Sequence, residues 1–142
     1  MTDSVRERLL SAITTAVQGE YGEYIAIDDD LPITVIADGD DAATTNAYGI
    51  TSCVMPVTVA RAEKAISGDK AARRGQAHAA LAGLIFGMFA DASFSGLAAK
   101  LDYTGGGIQT EGAGGVLSVQ AYFSVTYQHL VGNPLALPGA FD

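Results

Sequence analysis

Val5, Leu9, Ile13 and Val17 recur at every fourth position, with Leu10 and Ala16 widening the stripe. That spacing is one apolar face of an α-helix. Ser4 and Glu7 stand at the S-x-x-E spacing of a capping box, so helix one is predicted to begin at Ser4 and to close near Gly19 or Gly22. After the acidic run Asp28-Asp29-Asp30, Leu31-Pro32 sets an extended entry into a strand, Ile33-Thr34-Val35-Ile36. Asp38-Gly39-Asp40-Asp41 and the small polar residues to Asn46 read as a loop. A second strand is predicted from Tyr48 to Ala60. Its alternation changes phase, with Ile50, Ser52 and Val54 on one count and Met55, Val57 and Val59 on the other. An extra residue near Met55-Pro56 would restore the register, and proline lacks the ladder donor, so a bulge or an edge position is expected there.

Helix two is predicted over 69–90. Ala77, Leu81, Leu84, Ile85, Met88 and Phe89 share its apolar face, while Ala79, Gly83 and Gly87 form a row without bulk. Glycine costs up to about 1 kcal/mol in a helix interior, so the row implies close packing, either within the domain or between subunits. A turn at 91–96 leads to a strand from Leu97 to Tyr103. Residues 105–115 hold six glycines in eleven positions and read as a mobile hairpin loop. In the last strand Leu117, Val119, Ala121, Phe123, Val125 and Tyr127 alternate with polar or smaller residues, over roughly 40 Å. The order α-β-β-α-β-β predicts a single α+β domain over 1–134, a mostly antiparallel four-stranded sheet with two helices packed on one face. A C-terminal tail, 135–142, carries Leu135, Leu137 and Phe141 without a helix to hide them, so they pack back on the domain or dock onto another chain.

At 142 residues the chain has room for one core, and its 49% hydrophobic content excludes a mainly disordered polymer. A net charge of −8 disfavours binding to the DNA backbone and to anionic membranes. The single cysteine, Cys53, excludes an internal disulfide framework and a multi-cysteine zinc site, and points to an intracellular protein. The charged start (Arg6, Glu7, Arg8) does not fit a signal peptide, and the apolar run 77–90 is too short to span a membrane.

No catalytic constellation assembles from the spacing. His78 and His129 have no partner at ligand spacing, and Cys53 reads as a small buried hydrophobe. The glycine-rich segment lacks the Gly-Lys and following helix of a phosphate loop. The acidic groups at 28–30 and 38–41 lack the calcium-loop pattern. The chain is therefore expected to be neither an enzyme nor a cofactor or metal protein. Its features suggest assembly instead. The candidate contact residues are Gly105, Ile108, Glu111 and Gly115 in the glycine-rich segment, Asp38, Asp40 and Asp41 in the acidic loop, and Leu135, Leu137 and Phe141 in the tail.

Helix one with Arg6-Glu7-Arg8-Leu9-Leu10, the strand Pro32-Ile33-Thr34-Val35 running into Asp38-Gly39, and Ser95-Gly96-Leu97-Ala98 followed by Leu101-Asp102-Tyr103 form a set with the closing Phe123-Ser124-Val125-Thr126-Tyr127 and Gly132-Asn133-Pro134. Across residues 4–134 the chain resembles the tail terminator and tail completion proteins of long-tailed bacteriophages. The resemblance implies a virion protein, assembled in the bacterial cytoplasm as a homo-oligomeric, hexameric ring. Its partners would be the tail tube protein on one side and the head–tail connector on the other, with the genome passing through without specific binding. A head–tail joining protein or a tube subunit is the alternative within the particle. A small-ligand-binding or hydrolytic domain, with a pocket between helix two and the sheet, is the alternative outside it.

Overall fold

The computed structural model describes residues 3–22, 31–112 and 115–138. The elements are α1 (Val5–Ala16), β1 (Glu20–Tyr21), β2 (Ile33–Asp38), β3 (Ala42–Thr45), β4 (Ile50–Lys64), α2 (Lys70–Phe89), β5 (Ala98–Gln109) and β6 (Val116–Leu130). The single α+β domain is as expected, but the sheet has six strands where four were expected. The two additions are short. β1 is a two-residue parallel pairing on β2, and β3 lies inside the stretch read as a loop. Strand order is β1-β2-β4-β6-β5, and β3 pairs β4 beyond the end of β2. Apart from β1–β2, every pairing is antiparallel.

The centre is the β4–β6 pair, fifteen residues matched one to one from Ile50↔Leu130 to Lys64↔Val116. Its inner face carries Cys53, Met55, Val57 and Val59 from β4, with Val119, Ala121, Phe123, Val125 and Tyr127 from β6, all buried. The alternation read for the last strand holds along its whole length. Both helices close this face. Val5, Leu9, Leu10 and Ile13 of α1 join Ala77, Leu84 and Met88 of α2 in one core cluster, with Leu81 and Ile85 half-buried against it. Phe89, assigned to the core face, is 41% exposed, although its ring stands 6.3 Å from Phe123. Ala16, read as part of the α1 stripe, is exposed. The Ser4 hydroxyl caps α1 by accepting the Glu7 N–H at 3.0 Å, and Asp69 caps α2 by accepting the Ala72 N–H at 3.0 Å.

The bulge expected at Met55-Pro56 lies in the neighbouring strand. β4 keeps one phase throughout; Val54 misled the reading because it is an apolar residue on the helix-free face, while Thr51 is polar and buried. Asp38 pairs Val57 and Ala42 pairs Val54, so three residues, 39–41, face two, Met55 and Pro56. The Gly39 N–H donates to the Pro56 carbonyl at 2.9 Å. Because the N and O of one strand residue point the same way, the donor that proline lacks faces this irregular stretch, where no regular ladder bond is lost. A Cβ on Gly39 would stand 2.7 Å from Pro56 Cγ, so the close approach requires glycine.

The glycine-rich segment is also corrected. Gly105, Gly106 and Gly107 are strand residues, with Gly105 opposite Tyr122 and Ile108 opposite Val119. A register shift between Tyr103 and Gly105 lets the strand continue. Gly106 sits under the Tyr103 hydroxyl; a Cβ there would collide with it and stand 2.9 Å from the Gln120 carbonyl oxygen. Gly106 thus makes room for packing, whereas Gly107 faces open space, and the strand runs to Gln109.

Candidate functional site

Arg6 organises the most connected polar site. It leaves the first turn of α1 towards the irregular stretch between β2 and β3. There it forms ion pairs with Asp38 and Asp41, the latter with Nε at 3.2 Å, and Nη2 donates to the Gly39 carbonyl at 2.7 Å. The Tyr21 hydroxyl donates to Asp38 from β1, and the Tyr127 hydroxyl donates to Asp41 from β6. One guanidinium thus ties four elements together. Burial works against the Arg6 charge, but the bonds to Asp38 and Asp41 outweigh it and raise its pKa. Burial would likewise raise Asp38, yet the bonds from Tyr21 and Arg6 hold it below the ordinary value of 3.8. Tyr127 is pushed upward, first by burial and then by its bond to Asp41, so it stays a neutral donor.

A cleft of about 540 Å³ opens beside this network, lined by Arg6, Glu7, Leu10, Thr14, Tyr21 and Asp38. A smaller one of about 270 Å³ lies on the other side of Arg6 and includes Asp41, Cys53, Tyr127 and His129. His129 Nδ1 donates to the Leu130 carbonyl at 2.8 Å, which leaves Nε2 as the acceptor, 3.9 Å from Cys53 Sγ. Nothing in their spacing along the chain links these two residues. The register brings them together, since Cys53 is opposite Tyr127 and His129 is the next residue along that face. At 3.9 Å, with the thiol 3% exposed, the pair is a core contact. Among the described residues no group of three or more His, Cys, Asp or Glu side chains could hold a metal ion. Among the described residues no helix is long and apolar enough to cross a membrane.

The expected contact residues separate into two sets. Asp38 and Asp41 belong to the Arg6 network, whereas Asp40 between them is exposed. Leu137 packs on the core, and the backbone before it is held down. The Pro134 carbonyl accepts from Val5 N–H at 2.8 Å, that of Leu135 from Arg8 Nη2 at 2.7 Å, and that of Ala136 from Leu130 N–H at 2.9 Å. Leu135 itself is 41% exposed, and Val131 and Tyr48 are exposed as well, at the end of the sheet where the Val131 N–H donates to the Gly49 carbonyl. Ile108, Glu111 and Gly115 are exposed at the opposite end, and Gly105 is half-buried. Phe141, with Asp28, Asp29 and Asp30, lies outside the described residues.

Among the described residues the two sides of the sheet are open and unlike. There β5 pairs only with β6, and its outer edge is a strand of twelve residues. On the other side all four residues of β3 are exposed, as are Glu20 and Tyr21 of β1.

No family model matches the chain, and no curated protein matches its sequence. Among solved structures, a chain from the virion of a native gene transfer agent particle aligns over 88% of this chain and 92% of its own. The identity is 11% and the TM-score 0.41, too low to carry either fold or function across.

Proposed function

We propose that this chain is a structural virion protein, acting as a tail terminator. It forms a ring on the head-proximal end of a tail tube, stops further tube growth and offers a surface to the head. The sequence resemblance supplies the role. The observation that supports it in the fold is the pair of unlike open sides, β5 on one and β3 with β1 on the other. A protein with two different lateral surfaces associates head to tail, and such contacts close into rings when the rotation allows. Exposed strand edges are natural contributors to such contacts. The exposed Tyr48, Val131 and Leu135 give one end an apolar surface suited to a further partner above or below the ring. Six copies at −8 each would repel a passing genome from whatever part of that charge faces the channel.

A head–tail joining protein or a tube subunit would use the same surfaces, and position in the particle separates the three. Immunogold labelling of purified particles with antibody to this chain is expected to mark the head–tail junction once per particle. Label along the whole tail would identify a tube subunit. Absence of the chain from purified particles would contradict a virion role.

A further inference from the structure

We propose that the open edge of β5 pairs with β3 of the next copy, antiparallel, so that one sheet runs from copy to copy with every helix on the same side of it. This deepens the ring reading above and rests on it.

The backbone is the first observation. In an antiparallel pair, alternate residues turn their N–H and C=O away from the partner strand. Among the described residues β3 is paired only with β4, and β5 beyond Ala98 only with β6, so the outward groups of both strands face solvent. Such an edge is completed by a second extended backbone, not by a pocket or a charge. Soluble chains usually blunt their edges with charges, proline or a covering segment. β3 has neither a charge nor a proline, and all four of its residues, Ala42, Ala43, Thr44 and Thr45, are exposed. β5 carries Lys100 and Asp102, which pair at 3.5 Å and offset one another, and its stretch 104–109 has no charge at all. Copies with a net charge of −8 can therefore meet along these two edges without bringing unpaired like charges of either strand together.

Strand direction selects the partner. β3 is antiparallel to β4, β4 to β6 and β6 to β5, so β3 and β5 run in opposite directions. Rotation about a ring axis leaves the direction of a strand along that axis unchanged. β5 of one copy then meets β3 of the next antiparallel, which continues the alternation of the sheet and keeps the helices on one side. β5 against β5 would need a two-fold axis, which closes a dimer and leaves both β3 edges open. β1, with two residues, offers too short a ladder. The faces agree as well. Lys100, Asp102, Gly107 and Gln109 of β5 stand on the helix-free face, opposite Thr126, Ser124, Gln120 and Ser118. Ala42 and Thr44 of β3 stand on the same face, opposite Val54 and Ser52, whereas Ala43 stands on the other, opposite Cys53. In a continuous sheet the two helix-free sets lie across from one another.

The test is disulfide trapping on the full chain. The single cysteine, Cys53, is 3% exposed and stays in place. Asp102→Cys and Gly107→Cys are made separately in β5, and Ala42→Cys and Thr44→Cys separately in β3. Every register that keeps Ala42 and Thr44 opposite the 100–109 stretch brings at least one of these combinations face to face. Ala42 and Thr44 are exposed and a Cβ on Gly107 meets nothing within 4 Å, so the variants are expected to melt as the parent does. Under mild oxidation of equal mixtures, at least one β5–β3 combination is expected to form a disulfide dimer on a non-reducing gel. Its rate should exceed that of either variant alone by at least about tenfold, because pairing raises the effective concentration of the two thiols. Ala43→Cys, on the other face, is expected to give no such gain. A chain carrying both substitutions of the successful pair is expected to give a ladder beyond the dimer. Mixtures no faster than their components overturn the inference, as does an equal gain with Ala43→Cys. A β5 variant that dimerises alone as fast as in the mixture also overturns it and assigns the edge to a two-fold β5–β5 contact. Label at the head–tail junction alongside such failures would leave the terminator reading standing and remove only this joint.

Discussion

At the scale of single residues, the fold is tied together by contacts whose members are far apart in the chain. Arg6, Asp38 and Asp41 were each visible in the sequence, two as members of an acidic loop, but nothing in their spacing showed that one guanidinium would take both carboxylates. The irregular backbone at 39–41, set by Pro56 on the neighbouring strand, turns them towards α1. Asp38→Asn should therefore cost about 2 kcal/mol at neutral pH, the scale of a hydrogen bond to a charged group. The native carboxyl titrates below its ordinary value of 3.8, so its contribution is present above that pH and is lost as pH falls through the lower native value. Melting curves of parent and variant should be well separated at pH 7 and converge below about pH 4. A gap that persists at low pH would mean the side chain acts by packing alone. Gly106 makes a similar point about glycine. Gly106→Val is expected to lower stability by about 2 kcal/mol, because the new side chain meets the Tyr103 hydroxyl and the Gln120 carbonyl. An unchanged melting temperature would show that β5 can move aside.

At the scale of elements, long regular patterns were readable and short or irregular ones were not. Helices α1 and α2 and strand β6 each bury one face over twelve or more residues, and the cumulative pattern specifies them without help from the rest of the fold. β1 and β3, of two and four residues, have almost no pattern of their own and exist because β2 and β4 offer them an edge. Glycine disfavours strands in general, so the sequence pattern of β5 ends at Tyr103, whereas at Gly106 the small size is what the crowded pairing with β6 needs. Among the candidate contact residues, exposure could not be read from residue type: Leu137 and Leu135 are alike in sequence and differ in burial. The core face of α2 has a direct test. Leu84→Asp places an unpaired charge at a position 5% exposed and is expected to unfold the domain, with a penalty of several kcal/mol seen as loss of the cooperative thermal transition. A folded, soluble variant would mean that this face is misassigned.

At the scale of the whole molecule, the described residues form a fold closed on its helical face and open at its sides. The chain end helps to close it, since residues 134–137 bridge α1 and β6 through three backbone carbonyls and the Leu137 side chain. Truncation after Pro134 should therefore lower the melting temperature of the monomer itself, before any effect on assembly. A truncated monomer as stable as the parent would return these residues to the surface. The openness at the sides is what the terminator account uses, and its central claim is control of tube length. Electron microscopy of particles formed with this gene inactivated tests that claim most directly. Overlong tubes without attached full heads are expected of a terminator; intact infectious particles with tails of normal length would rule that role out.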